Sequence, residues 1–198
     1  MTSLRVGEAD VLRMRARGWL ASYPVGRTEP APGLPVISAF QYDTGVQARF
    51  APGVFDIAGA VTVGTLSNPR VTDDNGGRQV ALRAGAQPIP GLIAGVSLSR
   101  GAWLDDSVLP AGPGITGAYR QDAAGLDAEY SRDRWLVRGE IIQSRWRVPS
   151  IAPALTARTA FVEGRVRVHP RAFVAARLDR LDFSTISSGG VTQTWDAP

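Results

Sequence analysis

Apolar and polar side chains alternate in three long runs between residues 134 and 184 of this chain. A period of two residues is the mark of a β-strand with one apolar and one polar face. In the first run Trp135 and Val137 share one parity, and Arg138 and Glu140 share the other. Each run has about fourteen residues, whereas strands of soluble proteins usually have about five or six. The length suits strands that cross a bilayer at a tilt, which need about nine to eleven residues within the hydrocarbon.

The same alternation predicts five earlier strands, at 36–50, 54–66, 78–87, 91–103 and 115–130. For the last of these, both a continuous strand and one interrupted near Gln121 and Asp122 stay open. The sequence therefore predicts an all-β fold, an antiparallel up-and-down meander of about eight long strands, forming a transmembrane β-barrel or part of one. The strands occupy residues 36–184, between an amino-terminal segment that is partly loop, 1–35, and a polar, loop-like tail, 185–198.

The predicted connections alternate in length along the chain. Short turns are expected at 51–53, 88–90, 131–133 and 169–170, and longer loops at 67–77, 104–114, 148–153 and from 185 onward. A meander places all the short turns at one end and all the long loops at the other. This asymmetry is typical of outer-membrane barrels, and a soluble sandwich with Greek-key connections gives no reason for it.

The polar parity of the strands carries most of the charge. In a water-filled barrel this side is the lumen, where arginine side chains can favour anions. In a soluble sheet it would be the solvent face, but the apolar side would then need a second layer, and the sequence predicts no amphipathic helix to supply one. The residues expected to face the lumen are Asp43, Arg49, Arg83, Asp127, Glu129, Arg138, Glu140, Glu163, Arg165, Arg167, Arg177 and Asp179.

Aromatic residues stand near the ends of the predicted strands. Membrane barrels carry aromatic girdles at both interfaces, because amphipathic rings prefer the headgroup region. The alternative is that these rings are ordinary core residues of a soluble barrel. The predicted girdle consists of Trp103, Trp135, Trp146, Phe173 and Phe183.

Composition excludes several classes of function. The formal charge is +4, but the arginines are scattered among 18 acidic residues, so no basic patch indicates a nucleic-acid partner. The chain has no cysteine, which excludes disulfides and thiolate metal sites. No apolar run is long enough for a transmembrane helix.

The residues that could carry chemistry form no catalytic pattern. Asp73 and Asp74 begin a loop that lacks the spacing and the distal glutamate of a calcium site. The single histidine, His169, precedes Pro170 in an expected turn, and no serine–histidine–aspartate arrangement is credible. Asp127 and Glu129 share a strand face, but without a nucleophile they do not indicate acid–base catalysis. The sequence therefore predicts a protein that is not an enzyme and has no cofactor or metal.

Two segments, 125–146 and 161–184, resemble the later part of bacterial porin-like outer-membrane β-barrels, the phosphate-selective-porin type and its uncharacterised relatives. The resemblance implies a bacterial outer-membrane location, contact with membrane lipid and passive diffusion of small anionic or polar solutes with a weak anion preference. A homo-oligomer is a further expectation for this chain. The residues that match the pattern are Glu129, Tyr130, Trp135, Arg138, Glu140, Glu163, Arg165, Arg177 and Asp179.

The two ends of the chain depart from that class. Charged residues such as Arg5 and Glu8 interrupt any secretory signal, and the chain closes on a loop-like segment, 195–198. Both features indicate a fragment of a larger barrel. Two alternatives stay open: a small closed barrel with a structural or adhesive role at the cell surface, whose interior would be filled by side chains, and a soluble ligand-binding β-barrel or sandwich.

Overall fold

A computed structural model describes residues 42–67, 69–73, 75–104, 119–148, 153–188 and 191–194. Eight antiparallel strands form one sheet in sequence order, which confirms the predicted all-β meander. The strands are β1 (Gly45–Phe50), β2 (Phe55–Thr62), β3 (Gln79–Ile89), β4 (Leu92–Ala102), β5 (Arg120–Arg132), β6 (Trp135–Trp146), β7 (Leu155–His169) and β8 (Ala172–Phe183). Within the described ranges there is no helix. β1 and β8 are the two edges of the sheet and do not pair with each other.

The register of the ladders keeps each chemical type on one side of the sheet. Paired residues in an antiparallel ladder project to the same face. Leu126 pairs with Val96 on β4 and Ile141 on β6, whereas its neighbour Asp127 pairs with Gly95 and Glu140. We call the first side the apolar face and the second the polar face.

Large hydrophobic side chains lie exposed along the apolar face of every strand. They include Val46, Phe50, Ile57, Val61, Val80, Leu82, Val96, Leu98, Leu126, Trp135, Val137, Ile141, Val162, Val174 and Leu178. Among the described residues no second layer of structure covers this face, since the sheet's only companion is a short two-stranded hairpin.

The turns and loops follow the predicted alternation. Short turns at 51–54, 90–91, 133–134 and 170–171 lie at what we call the short-turn end of the sheet. The segments 63–78, 103–119 and 147–154 connect the strands at the opposite, long-loop end.

The first two strands are shorter than the alternation predicts. β1 begins at Gly45, and the residues before it are bonded to the loop 63–78. The Asp43 carboxylate accepts hydrogen bonds from the backbone N–H groups of Gly64, at 2.8 Å, and Arg70, at 3.3 Å. The backbone N–H of Thr44 also donates to the Arg70 carbonyl at 2.8 Å. The remainder of that predicted strand, 36–41, and the segment 1–35 lie outside the described residues.

The structure decides between the two alternatives for β5 and corrects the prediction for the tail. β5 runs without a break through Gln121 and Asp122, because both keep their ladder partners on β4 and β6. The tail is not simply loop-like, since β9 (Thr185–Ser188) and β10 (Val191–Thr194) pair as a small hairpin. The β-branched residues of the two segments, such as Thr185 and Val191, suit strands.

The turn between β3 and β4 depends on glycine. Gly91 has a backbone φ of +86°, a conformation that residues other than glycine rarely adopt. A Cβ atom at this position would lie 2.1 Å from the carbonyl oxygen of Ser131. The Gly91 carbonyl also accepts a hydrogen bond from the Ser131 N–H at 2.8 Å, which ties this turn to the end of β5.

Replacing Gly91 with alanine should therefore destabilise the sheet. The strained backbone alone costs about 1–3 kcal/mol, and the contact with Ser131 adds to it. Gly164→Ala on β7 is the control, because a Cβ there meets no atom within 4 Å and its φ is not positive. Urea unfolding should show a lower midpoint for Gly91→Ala only; equal midpoints for the two variants would contradict the assignment.

Candidate functional site on the polar face of the sheet

The polar face gathers the residues predicted to line a lumen. All of them except Asp43 lie on β1, β3 or β5–β8. Their ladder partners show that they have the parity of this face. Asp43 precedes β1 and is bonded to the loop 63–78. The shared face is an observation, whereas its contact with a water-filled lumen stays a prediction.

The most enclosed ion pair joins Arg83 on β3 to Asp127 on β5. Both terminal nitrogens of the Arg83 guanidinium donate to the Asp127 carboxylate, Nη2 to Oδ2 at 2.7 Å and Nη1 to Oδ1. Nη1 also donates to Ser97 Oγ at 3.0 Å. The two side chains are only 13% and 11% exposed, so this bidentate pair is largely shielded from water.

The Arg83–Asp127 pair reaches across the intervening strand β4. It can do so because Gly95, the ladder partner of Asp127 on β4, has no side chain in the way of the Arg83 guanidinium. A Cβ atom on Gly95 would lie 2.4 Å from Arg83 Nη2. Because Gly95 has no side chain, an ion pair can join β3 and β5, which are not neighbours in the sheet.

A second cluster lies around Glu163 on β7. One of its oxygens, Oε2, accepts from Arg138 Nη2 at 3.0 Å and from Arg177 Nη1 at 3.2 Å. Arg177 also donates from Nε to Asp179 Oδ1 at 2.9 Å and places its guanidinium 3.8 Å from the centre of the Phe161 ring. Three strands, β6 to β8, are thus linked by one network of alternating charge.

Arg49, Asp56, Arg165 and Arg167 lie near the short-turn end of this face and are open to water, whereas Glu140 on β6 is only 5% exposed. Arg49 and Asp56 pair at 2.6 Å across β1 and β2, with side chains 64% and 43% exposed. Arg165 lies over the Phe173 ring at 4.6 Å. Within the described residues, neither Arg165 nor Arg167 has a carboxylate within 4 Å. These two arginines are therefore the positive charges of the polar face that no acidic side chain of the described residues neutralises.

The polar face as a whole is electrically balanced. On β6–β8 four arginines stand against three acids, as the sequence indicates. The other strands add two arginines and three acids, so that the totals are equal. The arginines are Arg49, Arg83, Arg138, Arg165, Arg167 and Arg177, and the acids are Asp56, Asp127, Glu129, Glu140, Glu163 and Asp179. Any excess of positive charge is therefore local.

At the long-loop end the same face is packed with side chains. The loop segment 63–67 lies on it, and two glutamines hold its backbone: Gln79 Oε1 accepts from the Leu66 N–H at 2.9 Å, and Gln121 Oε1 accepts from the Ser67 N–H at 3.0 Å. Leu66, Ser67 and both glutamines are buried. This segment closes the face at one end, and we call it the plug segment.

Two tryptophans complete the packing around the plug segment. Trp146 is fully buried and donates from Nε1 to Ser67 Oγ at 2.8 Å. Trp103, 1% exposed, donates from Nε1 to the Arg147 carbonyl at 3.0 Å. Buried indole N–H groups need such partners, and here the plug segment and the end of β6 provide them.

The predicted aromatic girdle was wrong for most of its members. Trp103 and Trp146 are buried and cannot face lipid. Phe173 and Phe183 pair with Arg167 and Ala157, so they have the parity of the polar face. Only Trp135, which is 57% exposed, lies on the apolar face. Position near a strand end was a poor guide, because parity decides which face a ring occupies.

The loop containing Asp73 is held by its own side chains. The Asp73 carboxylate accepts from the Gly76 N–H at 2.9 Å and also pairs with Arg78. The Arg78 guanidinium holds the pKa of Asp73 below its usual value. Across the described part of the chain, no three acidic, histidine or cysteine side chains lie close enough to hold a metal ion.

His169 is the last residue of β7, where its Nδ1 accepts the Arg171 N–H at 3.3 Å. The prediction that His169 is a turn residue was therefore wrong by one position. The turn itself occupies Pro170 and Arg171.

Some functional groups were missed in the sequence. Asp56 was not singled out as the partner of Arg49, although the short turn at 51–54 brings the two strands together. The glutamines that hold the plug segment gave no signal, because a buried amide cannot be told from an exposed one by alternation alone. The charged residues at the long-loop end of the apolar face could have been found from the sequence. Arg180 and Asp182, for example, follow Leu178 at a spacing of two residues on β8 and so lie on the same face.

Comparison of the chain with protein-family models, with curated proteins and with solved structures finds no match in any of the three. In the described ranges no helix is long and apolar enough to cross a membrane. The function must therefore be argued from the two faces of the sheet.

Breaking the enclosed ion pair should cost far more than breaking the exposed one. Asp127→Asn leaves Arg83 with a neutral partner in a shielded site, and losses of about 3–5 kcal/mol are typical when a buried pair loses one charge. The control Asp56→Asn removes the partner of the exposed Arg49, where about 0–1 kcal/mol is expected. Urea unfolding midpoints measure both; equal losses would show that the Arg83–Asp127 pair is not shielded.

Proposed function

We propose that this chain forms the wall, or part of the wall, of a porin-like β-barrel in a bacterial outer membrane, through which small polar or anionic solutes diffuse passively. The observation that carries the proposal is the chemical opposition of the two faces. Every strand exposes large hydrophobic side chains on one side, and the other side holds the least exposed ion pairs. The ion pairs of the apolar side, Arg100–Asp122 and Arg180–Asp182, lie at its long-loop end. A lipid-facing exterior and a wetted interior require this arrangement.

The extent of the apolar face favours lipid as its neighbour. Soluble monomers rarely expose contiguous apolar patches larger than a few hundred square ångströms, whereas here the exposed hydrophobic residues extend from β1 to β8. Such a face is costly in water and stable in hydrocarbon. The companion hairpin β9–β10 pairs only with itself.

The strand lengths agree with a membrane crossing. β3 to β8 contain 11 to 15 residues each. At about 3.3 Å per residue they extend roughly 36–50 Å, and a tilt of about 40° leaves roughly 28–38 Å of height. This exceeds the apolar band of an outer-membrane barrel, which is about 25 Å tall, so each strand can reach both interfaces.

The open edges bear on how such a barrel closes. Backbone groups within hydrocarbon must all be paired, so a sheet in a membrane has to close on itself. β1 and β8 therefore need partners, either from each other, from further strands or from another copy. Closure with more than eight strands would leave room for water along the polar face.

The proposed weak anion preference comes from positive charge at one end of the polar face, and not from the net charge of the whole face. The face carries equal numbers of arginines and acids, and most are paired. Arg165 and Arg167 at the short-turn end have no acidic partner among the described residues. They place an uncompensated positive charge at that mouth of the proposed pore, where anions would be favoured.

The packed long-loop end favours a second candidate, a closed barrel with a structural role. The plug segment, Trp103 and Trp146 fill the polar face at that end. If eight strands closed on themselves, the interior would be filled by these side chains and by the ion-pair network. Such a barrel would conduct no ions.

The channel proposal is tested by replacing the two unpaired arginines. Arg165→Gln combined with Arg167→Gln removes two positive charges and should move the reversal potential in a salt gradient toward cation selectivity. The native preference should also shrink at high salt, where the Debye length falls to about 3 Å. The measurement is made in planar bilayers with the full chain.

The matched control is Arg158→Gln combined with Arg180→Gln, which removes the same charge from the apolar face of β7 and β8. It should leave the reversal potential unchanged. A folded, inserted protein without conductance would overturn the channel and support the structural barrel. Conductance with the same selectivity in both double variants would remove Arg165 and Arg167 from the filter.

A further inference from the structure

A row of charged side chains crosses the apolar face at its long-loop end. We call it the charged rim, and it lies on β4 to β8 directly beyond the exposed hydrophobic residues. Its ladder partners show that it belongs to the apolar face: Asp122 pairs with Arg100 and Arg145, and Arg158 pairs with Asp182. The rim carries four positive and two negative charges, on Arg100, Asp122, Arg145, Arg158, Arg180 and Asp182.

A groove lies where the charged rim meets the hydrophobic residues on β3 to β6. Its volume is about 510 Å³, within the range of about 300–1,000 Å³ usual for small-ligand sites. One half is apolar and the other polar. The apolar half is lined by Val80, Leu82 and Leu98, and the polar half by Arg100, Asp122, Gln143 and Arg145.

The charge of the groove is positive. Arg100 pairs with Asp122, Nε to Oδ1 at 3.2 Å, and both side chains are about half exposed. Arg145 has no carboxylate within 4 Å among the described residues. Gln143, which also lines the groove, accepts a hydrogen bond from Arg158 Nε at 2.9 Å. One arginine charge therefore remains uncompensated beside an apolar surface.

We propose that this groove binds the phosphate-bearing headgroup of an anionic membrane lipid, with the lipid's apolar part lying along Leu82 and Leu98. The inference rests on the membrane location proposed above, since the rim then lies at the level of the headgroups. Arginine donors match phosphate geometry, and basic pockets at the membrane surface bind lipid headgroups.

The apolar half of the groove is what assigns the phosphate to a lipid and not to a free anion. Inorganic phosphate would be held by Arg100 and Arg145 alone and would leave Val80, Leu82 and Leu98 without an apolar neighbour. A lipid covers both halves at once. An acyl chain adds about 0.8 kcal/mol for each buried CH₂ group, so the two ligands should differ widely in affinity.

The test begins with insertion of the full chain into vesicles of neutral phosphatidylcholine, assayed by protection from protease. Failure to insert into any vesicle would overturn the proposed membrane function itself. Native mass spectrometry of inserted protein extracted into detergent then measures the binding of phosphatidylglycerol, phosphatidylcholine and inorganic phosphate. The native chain should bind phosphatidylglycerol most tightly.

Removing the two groove arginines should weaken phosphatidylglycerol binding specifically. Arg100→Gln with Arg145→Gln should lower the affinity about 25-fold, which corresponds to about 1 kcal/mol for each arginine near a charged lipid surface. Arg145→Gln alone, which breaks no ion pair, should lower it about five-fold. The control Arg134→Gln with Arg171→Gln removes two charges from short turns at the opposite end and should leave the affinity unchanged.

Three results would overturn the groove while leaving the membrane function intact. The first is equal binding of phosphatidylglycerol and phosphatidylcholine. The second is an equal loss of affinity in the groove and control variants, which would indicate diffuse electrostatic attraction. The third is displacement of phosphatidylglycerol by inorganic phosphate at equal concentration, which would assign the arginines to a free anion.

Discussion

The structure depends on one constraint, the strict two-residue period of a paired β-ladder. Each step along a strand reverses the face, and pairing carries that choice from one strand to the next. From β1 to β8 the register is kept so that the large exposed hydrophobic residues collect on one side and the most enclosed ion pairs on the other. In the described part of the chain nothing covers the apolar side, so its surroundings determine whether the sheet is stable.

The polar side changes in character from one end to the other. Near the long loops it is a packed core, where the plug segment and two tryptophans exclude water. In the middle, Gly95 allows Arg83 and Asp127 to meet across a strand. Near the short turns Arg165 and Arg167 lie exposed to water. A pore lined by this face would be narrowed by packed side chains at one end and would carry uncompensated positive charge at the other.

The sequence allowed the fold to be predicted in outline, because long alternating runs report strand, face and direction together. It also predicted that the charged residues of β5 to β8 would share one face, since parity is preserved by the ladder, but it missed Asp56 and placed Asp43 on a strand. Contacts that join distant segments left no such signal. The seating of 63–67 on Gln79 and Gln121 is one example. The burial of Trp146 is another, because a ring near a strand end can belong to either face.

The central claim is that lipid covers the apolar face. The chain has no cysteine, so single cysteines can report on each face. Leu178→Cys on the apolar face and Ala175→Cys on the polar face are both exposed positions of β8, and in water both would react with a membrane-impermeant maleimide. In native outer membranes or reconstituted vesicles, Ala175→Cys should react and Leu178→Cys should be protected until detergent or denaturant is added. Equal, rapid labelling of both cysteines in a correctly folded protein would contradict the account.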